Sequence, residues 1–259
     1  GTAAAVEAAG EPSGTAAVFL LPGGENSMVV CGGANMSEAW EITPVMRDEL
    51  AAASVLLLQR EVPEGVNAQA AKAAKAGTAG PGGTSTVILD AGGADGPLSA
   101  ELLAAVDVLS PNETELARIT GLPTDSDDQV VAASKALLDR PGSAVAAVIT
   151  KLGARGSIFV GDPALGAGQE AGRRTAWFQP AFPVAEVVDT TGAGDCFTAA
   201  VGARLAAGAT VAEAMRFASA AGALCVKTLG AMPSIPSLEA TERLAGESSE
   251  QGVAWPLQV

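Results

Sequence analysis

Short, continuous apolar runs alternate with helix-like runs along most of this chain, and that alternation fixes the class of fold. The runs at 55–59, 85–90, 106–109 and 145–150 have strand length and no polar alternation. Between them lie helix-like stretches at 43–53, 67–77, 98–106, 113–120 and 126–139. Strands that are apolar on both faces are buried on both faces, and strands separated by helices pair in parallel. The pattern predicts an α/β fold with a mostly parallel central sheet covered by helices on both sides. Residues are 48% hydrophobic but only 3% aromatic, with no Tyr, so Ala, Val and Leu must build the core.

In such sheets, ligands bind beyond the C-terminal strand ends. Five polar sets then face one rim. They are Gln59-Arg60-Glu61, Asp90-Ala91-Gly92-Gly93, Ser110 to Glu115, Lys151 to Gly156, and Asp189 to Asp195. Several have a plain structural reading as well. Asn112 and Glu115 form a capping box for the following helix. Gly153 and Gly156 suit a turn before a strand at 157–160, and Glu61 reads as a solvated acid after a strand.

The fifth set is the most informative. A β-like run at 185–188 leads into Asp189-Thr190-Thr191-Gly192-Ala193-Gly194-Asp195, and a helix follows to about 207. A strand end, a glycine turn and a helix start aim free N–H groups at one point, where the helix dipole adds positive potential. Gly192 and Gly194 allow close approach of an anion. Asp195 would repel that anion unless it has its own task. It suits a base that takes a proton from a hydroxyl while the turn holds a phosphoryl group; it equally suits an acid in a first helical turn. No Walker loop occurs, and Phe197 breaks the dinucleotide fingerprint.

Composition removes other chemistries. Without His there is no Ser-His-Asp or Cys-His catalysis, and a zinc site is disfavoured. Lys+Arg 15 against Asp+Glu 29 gives a net charge of −14, which argues against nucleic acid and anionic membranes as partners. Cys31, Cys196 and Cys225 are odd in number and far apart, which suits a reducing, intracellular, cytoplasmic setting. No apolar run has transmembrane length. Residues 1–16 read as loose, and 17–21 with 27–31 as a hairpin closed by the loop at 22–26. After an exposed loop at 162–174 come an edge strand at 175–178, a helix at 211–228, a loop at 229–234, a last helix near 237–245 and a polar, frayed tail.

DTTGAGD followed by CFTAA resembles the C-terminal signature of the ribokinase (PfkB) family of sugar and nucleoside kinases. QREVPE, LDAGGAD, LSPNETEL, KLGARG and GAMPS match in order, extending the likeness from about residue 13 to 244. The hairpin string GENSMVVCGGAN is similar to that of the ribokinase branch in particular. QREVPE and LDAGGAD are most like members from plants and green algae. The resemblance implies a three-layer α/β/α ribokinase-like fold. Residues 1–33 would be a loose N-terminus and part of a small β lid, and 34–259 the nucleotide- and substrate-binding domain.

Roles carry over by position. The resemblance implies Asp195 as catalytic base and the N–H groups of Thr191, Gly192, Ala193, Gly194 and Asp195 as anion hole. It implies Glu61 as a ribose contact. Asn112, Lys151, Leu152, Gly153, Ala154, Arg155, Gly156, Gly194 and Ser219 would meet the nucleotide. Glu115 would organise magnesium through water. Asp189, Thr191, Cys225, Thr228, Gly230 and Ser234 would hold a monovalent cation, usually potassium. The implied reaction is transfer of the γ-phosphoryl of ATP to the 5-hydroxyl of D-ribose. A homodimer through the lid is implied for the full-length protein, and a plastid location is the alternative if a transit peptide precedes the chain. The family's early sugar-binding Asp, its GGKGAN-type loop and its first strands have no counterpart in these residues. Weak ribose binding by the chain alone is therefore expected. A non-catalytic nucleotide-binding remnant and a kinase for another sugar or nucleoside are the other readings.

Overall fold

The computed structural model describes residues 10–21, 23–37, 39–80, 83–165, 174–247 and 255–257. Residues 1–9 of the expected loose stretch at 1–16, most of the loop at 162–174 and most of the polar tail lie outside the described residues, and Thr15 and Ala16 of that stretch belong to a strand. Two sheets form. Strands β1 (Thr15–Leu20) and β2 (Asn26–Cys31) make an antiparallel hairpin. The second sheet has seven strands in sequence order: β3 (Val55–Arg60), β4 (Thr86–Gly93), β5 (Val108–Ser110), β6 (Ala147–Lys151), β7 (Gly156–Gly161), β8 (Thr175–Pro180) and β9 (Trp255–Leu257). β3 to β6 pair in parallel; β7, β8 and β9 each add antiparallel to the strand before.

Successive side chains of a strand point to opposite faces, which explains why these strands are continuously apolar. Val87 and Leu89 of β4 join one core with residues of α2 (Glu64–Lys75), α3 (Ala100–Leu103), α4 (Glu113–Thr120) and α5 (Asp127–Leu138). Ile88, between them, joins the opposite core with α6 (Ala193–Ala206) and α7 (Val211–Cys225). Phe159 and Trp177 stack in that second layer with ring centroids 4.0 Å apart. The three layers are thus α/β/α. α1 (Pro44–Ala52) precedes β3, and α8 (Leu238–Gly246) follows α7. No helix among the described residues is long and apolar enough to cross a membrane.

Local chemistry sets the helix starts. Thr43, Ser99, Asn112, Ser126, Thr210 and Ser237 each cap a helix by accepting a backbone N–H. Asn112–Glu115 and Thr210–Glu213 are full capping boxes. α2 and α6 have no side-chain cap; at α6 the capping position is Gly192.

Four expectations are corrected. Residues 185–188 form no strand; Val188 N–H and Asp189 N–H both donate to the Val226 carbonyl, and Thr190 N–H to that of Gly24. The segment hydrogen-bonds to a helix-end carbonyl and the hairpin turn, so the glycine turn follows a coil. The helix expected at 211–228 ends at Cys225, where the chain turns so that Thr228 N–H bonds the Cys225 carbonyl. The helix expected at 98–106 shrinks to Ala100–Leu103. Within the expected frayed tail, Trp255–Leu257 pairs with β8 as an edge strand.

Candidate active site

The parallel strands bring three rim sets together. Lys151, the last residue of β6, lies beside Asn112 in a short parallel bridge, and its N–H donates to the Pro111 carbonyl. Asp90 is paired with Ser110 in the register of β4 and β5. Across the end of β5, Lys151 Nζ meets Asp90 Oδ2 at 2.6 Å. Both side chains are largely buried. The other Asp90 oxygen accepts the Gly92 N–H at 3.0 Å. Thr198 on α6 donates its hydroxyl to Asp90 Oδ2 and lies 2.9 Å from the Ser110 hydroxyl.

The glycine turn closes the site from the opposite core layer. Gly192 has φ +79°, a conformation that favours glycine, and a Cβ there would lie 3.1 Å from the Ala231 Cβ. A Cβ on Gly194 would lie 3.5 Å from Lys151 Nζ, which places the ammonium against the start of α6. The expected anion hole is narrower than the sequence suggested. Thr191 N–H donates to Asp189 Oδ1 at 2.8 Å, and Ala193 N–H to the Thr190 carbonyl at 3.2 Å. Among the described residues, the amides of Gly192, Gly194 and Asp195 have no backbone acceptor. Without a side-chain cap on α6, they remain available to an anion.

Asp195 stands in the first turn of α6. The residue as a whole is exposed, yet protein encloses its carboxyl enough that desolvation raises its pKa; nearby Asp90 raises it further and Lys151 pulls it back. Glu115 is likewise raised by desolvation, opposed by the Asn112 N–H and Lys151. Its carboxylate accepts the Asn112 N–H at 2.7 Å and the Asn112 side-chain amide at 2.9 Å. A Cβ on Gly92 would lie 3.7 Å from Glu115 Oε1. The capping box therefore holds Glu115 at the rim.

The other expected residues take two positions. Asp189 joins two loops: Oδ1 accepts Thr191 N–H and Oδ2 accepts Gly230 N–H, each at 2.8 Å. The Thr191 hydroxyl, together with these two N–H groups, holds its pKa below the ordinary carboxylate value. Cys225 Sγ lies 3.1 Å from Ser234 Oγ, so Asp189, Thr191, Cys225, Gly230 and Ser234 form one connected region, with Thr228 bonded to Cys225. After β6, Gly153–Arg155 form a 3-10 turn behind buried Leu152. Arg155 is held by Glu113 at 2.6 Å and Asp127 at 2.5 Å. Ser219 is buried on α7, and its hydroxyl has no protein partner. Glu61 is exposed beyond β3; a Cβ on Gly93 would lie 3.0 Å from its Cγ.

Sequence reasoning placed Asp90 on the rim without a role and did not single out Thr198 and Asn26. Asn26 Nδ2 donates to Thr191 Oγ1 at 3.0 Å and lies 3.4 Å from Thr190 Oγ1, while the Thr190 hydroxyl donates to the Gly24 carbonyl. The hairpin turn is thus docked on the glycine turn. The available signal was Asp90 at a strand end on the rim.

A comparison with known protein families matches residues 2–238 to the description "pfkB family carbohydrate kinase". The chain belongs to the pfkB family. This pfkB chain is 42% identical to the ribokinase of Arabidopsis thaliana over 239 residues, covering 90% of its own length and 57% of that relative. Among solved structures, Arabidopsis thaliana ribokinase complexed with ribose and ATP superposes with TM-score 0.77 at 41% identity, over 92% of this chain and 71% of that one. Ribokinase from Thermotoga maritima follows at TM-score 0.71 and 30% identity, over 92% and 71%. The chain therefore spans little more than half the length of its curated plant relative.

Proposed function

We propose that this chain is the phosphoryl-transfer part of an ATP-dependent D-ribose kinase, forming D-ribose 5-phosphate and ADP. The observation that carries the reading is Asp195 beside the uncapped start of α6, with free amides at Gly192 and Gly194. In-line transfer needs positioning and charge stabilisation, not a covalent intermediate. Asp195 takes the proton of the 5-hydroxyl as O5 bonds to the γ-phosphorus and the bond to ADP breaks. Its enclosed, raised-pKa carboxyl suits a base better than a fully solvated one would. The amides of Gly192 and Gly194 receive the oxygens of the transferred group. Glu61 binds the sugar, and Asn112, the stretch from Lys151 to Gly156 and the unpartnered Ser219 hydroxyl contact the nucleotide.

Two ions fit the residues present. No group of three His, Cys, Asp or Glu among the described residues could itself hold a metal. Magnesium keeps waters and phosphate oxygens and takes one or two carboxylates; Glu115, fixed by the Asn112 N–H, is the carboxylate that would hold it through water. Magnesium would neutralise charge on the ATP phosphates. The connected loops at Asp189, Thr191, Cys225, Thr228, Gly230 and Ser234 offer hard oxygens suited to potassium. The exposed apolar hairpin supports a homodimer through the lid, and the free thiols suit a cytoplasmic location.

The test is ADP release from ATP in magnesium and potassium, with and without D-ribose and with other pentoses and nucleosides as acceptors. Ribose-dependent release is expected, weak for the chain alone. Release that follows a nucleoside and ignores ribose would replace the substrate. ATP binding with no acceptor-dependent release would leave a nucleotide-binding remnant.

A further inference from the structure

At the rim the Lys151 ammonium is paired with Asp90 at 2.6 Å, and its charge also acts on Glu115 and Asp195. Nearby cations are engaged elsewhere. Arg60 is buried and donates to the carbonyls of Gly96 and Pro97. Arg155 is paired with Glu113 and Asp127. A polyphosphate approaching Gly192 and Gly194 meets an excess of negative charge, in a chain that is −14 overall. Lys151 is the cation placed to offset it, 3.5 Å from where a Cβ on Gly194 would stand.

We propose that Lys151 is a catalytic residue that binds the transferring phosphoryl group, and that Asp90, backed by Thr198 and Ser110, is the residue that positions it. The proposal rests on the kinase reading above. An ammonium has three donors, and Asp90 occupies one of them at 2.6 Å. Asp90 itself is fixed by Gly92 N–H and by the buried Thr198 hydroxyl, which in turn meets buried Ser110. The chain of bonds aims the lysine at the turn instead of letting it fold back on Asp195. Stability alone gives little reason for such a pair, because desolvating two charges commonly cancels their attraction. The pair also sits at a strand-end rim, where open sheets bind ligands. Lys151's charge already acts on Asp195 and Glu115, drawing both raised pKa values partly back down.

The decisive measurement compares magnesium-ATP and magnesium-ADP affinities of the wild-type chain, Lys151→Met, Lys151→Arg and the double variant Asp90→Asn/Lys151→Met. Losing a hydrogen bond to a charged group is expected to make ATP binding roughly 10- to 100-fold weaker in Lys151→Met, with ADP binding weakened much less. Lys151→Arg should recover part of the loss. The double variant removes both charges, so it avoids an unpaired buried carboxylate and keeps the test valid if Lys151→Met folds poorly. Asp90→Asn alone should lower kcat more than it raises KM, because the charge stays and only its aim is lost. A folded double variant that binds ATP and ADP as the wild type does would overturn the proposal. If the wild-type chain prefers ATP yet phosphorylates no acceptor, the kinase reading fails, and the affinity comparison still decides the role of Lys151.

Discussion

The rim around Asp90 and the hairpin β1–β2 are built on opposite terms. At the rim, each charged group leans on another: Lys151 on Asp90, Asp90 on Thr198, Thr198 on Ser110, Glu115 on Asn112. Beneath them lie Val87, Ile88, Leu89 and Leu109, all fully buried. In the hairpin, every strand residue except Asn26 is exposed, with Phe19 at 58% and Val29 at 60%. Its described attachments to the site are the Gly24 and Asn26 bonds to Thr190 and Thr191 and the close approach of Gly24 to Val187. An isolated two-stranded hairpin is marginal. The phosphate end is therefore stiff through packing, whereas the hairpin is held by its turn.

Substitutions can break or sharpen that contrast. The largest effect belongs to Asp195→Asn, which should cost roughly 10²–10⁴-fold in turnover. Because burial disfavours its charge, the same change should hold or raise the melting temperature at neutral pH. Activity and stability would then move in opposite directions, and a variant with unchanged kcat would remove Asp195 as the base. The acid limb of kcat/KM in the wild type should lie above the ordinary carboxylate range, since Asp195 must lose its proton and its pKa is raised.

Phe159→Ala comes next. It deletes a fully buried ring stacked on Trp177 and should cost about 3–5 kcal/mol in denaturant unfolding. A smaller loss would mean that the layer between the sheet and α6–α7 is less tightly packed than its burial implies. Asp189→Asn removes a charge that accepts two N–H bonds and should cost about 2 kcal/mol. Its sign with pH is opposite to that of Asp195. The folded pKa is depressed, so the stabilisation is present above the ordinary value and lost as pH falls through the folded one. Acid unfolding curves of wild type and variant should therefore converge at low pH. Phe19→Ser, on the hairpin, should change stability by less than about 0.5 kcal/mol. A larger loss would show that the hairpin is packed against something in solution.

The same contrast explains what could be read from the sequence. α4 begins and ends where expected because its signals are local: a capping box at Asn112–Glu115 and Gly121 in the left-handed conformation. Strand positions were legible because burial on both faces leaves uninterrupted apolar runs. The partnership of Asp90 with Lys151 was not legible. It depends on β5 lying between β4 and β6, and strand order is written in no single segment. Residues 185–188 carry a strand-like composition, but the hairpin turn and the Val226 carbonyl, not a neighbouring strand, are what the fold supplies there. Trp255–Leu257 contains Pro256, which reads as a breaker; it is tolerated because β9 is an edge strand.

The hairpin also brings its own instrument. Cys31 is exposed at the end of β2, whereas Cys225 is buried and Cys196 only partly accessible. A thiol-reactive dye should therefore label the hairpin first, with no engineered residue. Because Asn26 on the same strand bonds Thr191 beside the glycine turn, light emitted from that dye becomes a gauge of whether an occupied turn and an empty one hold the hairpin alike.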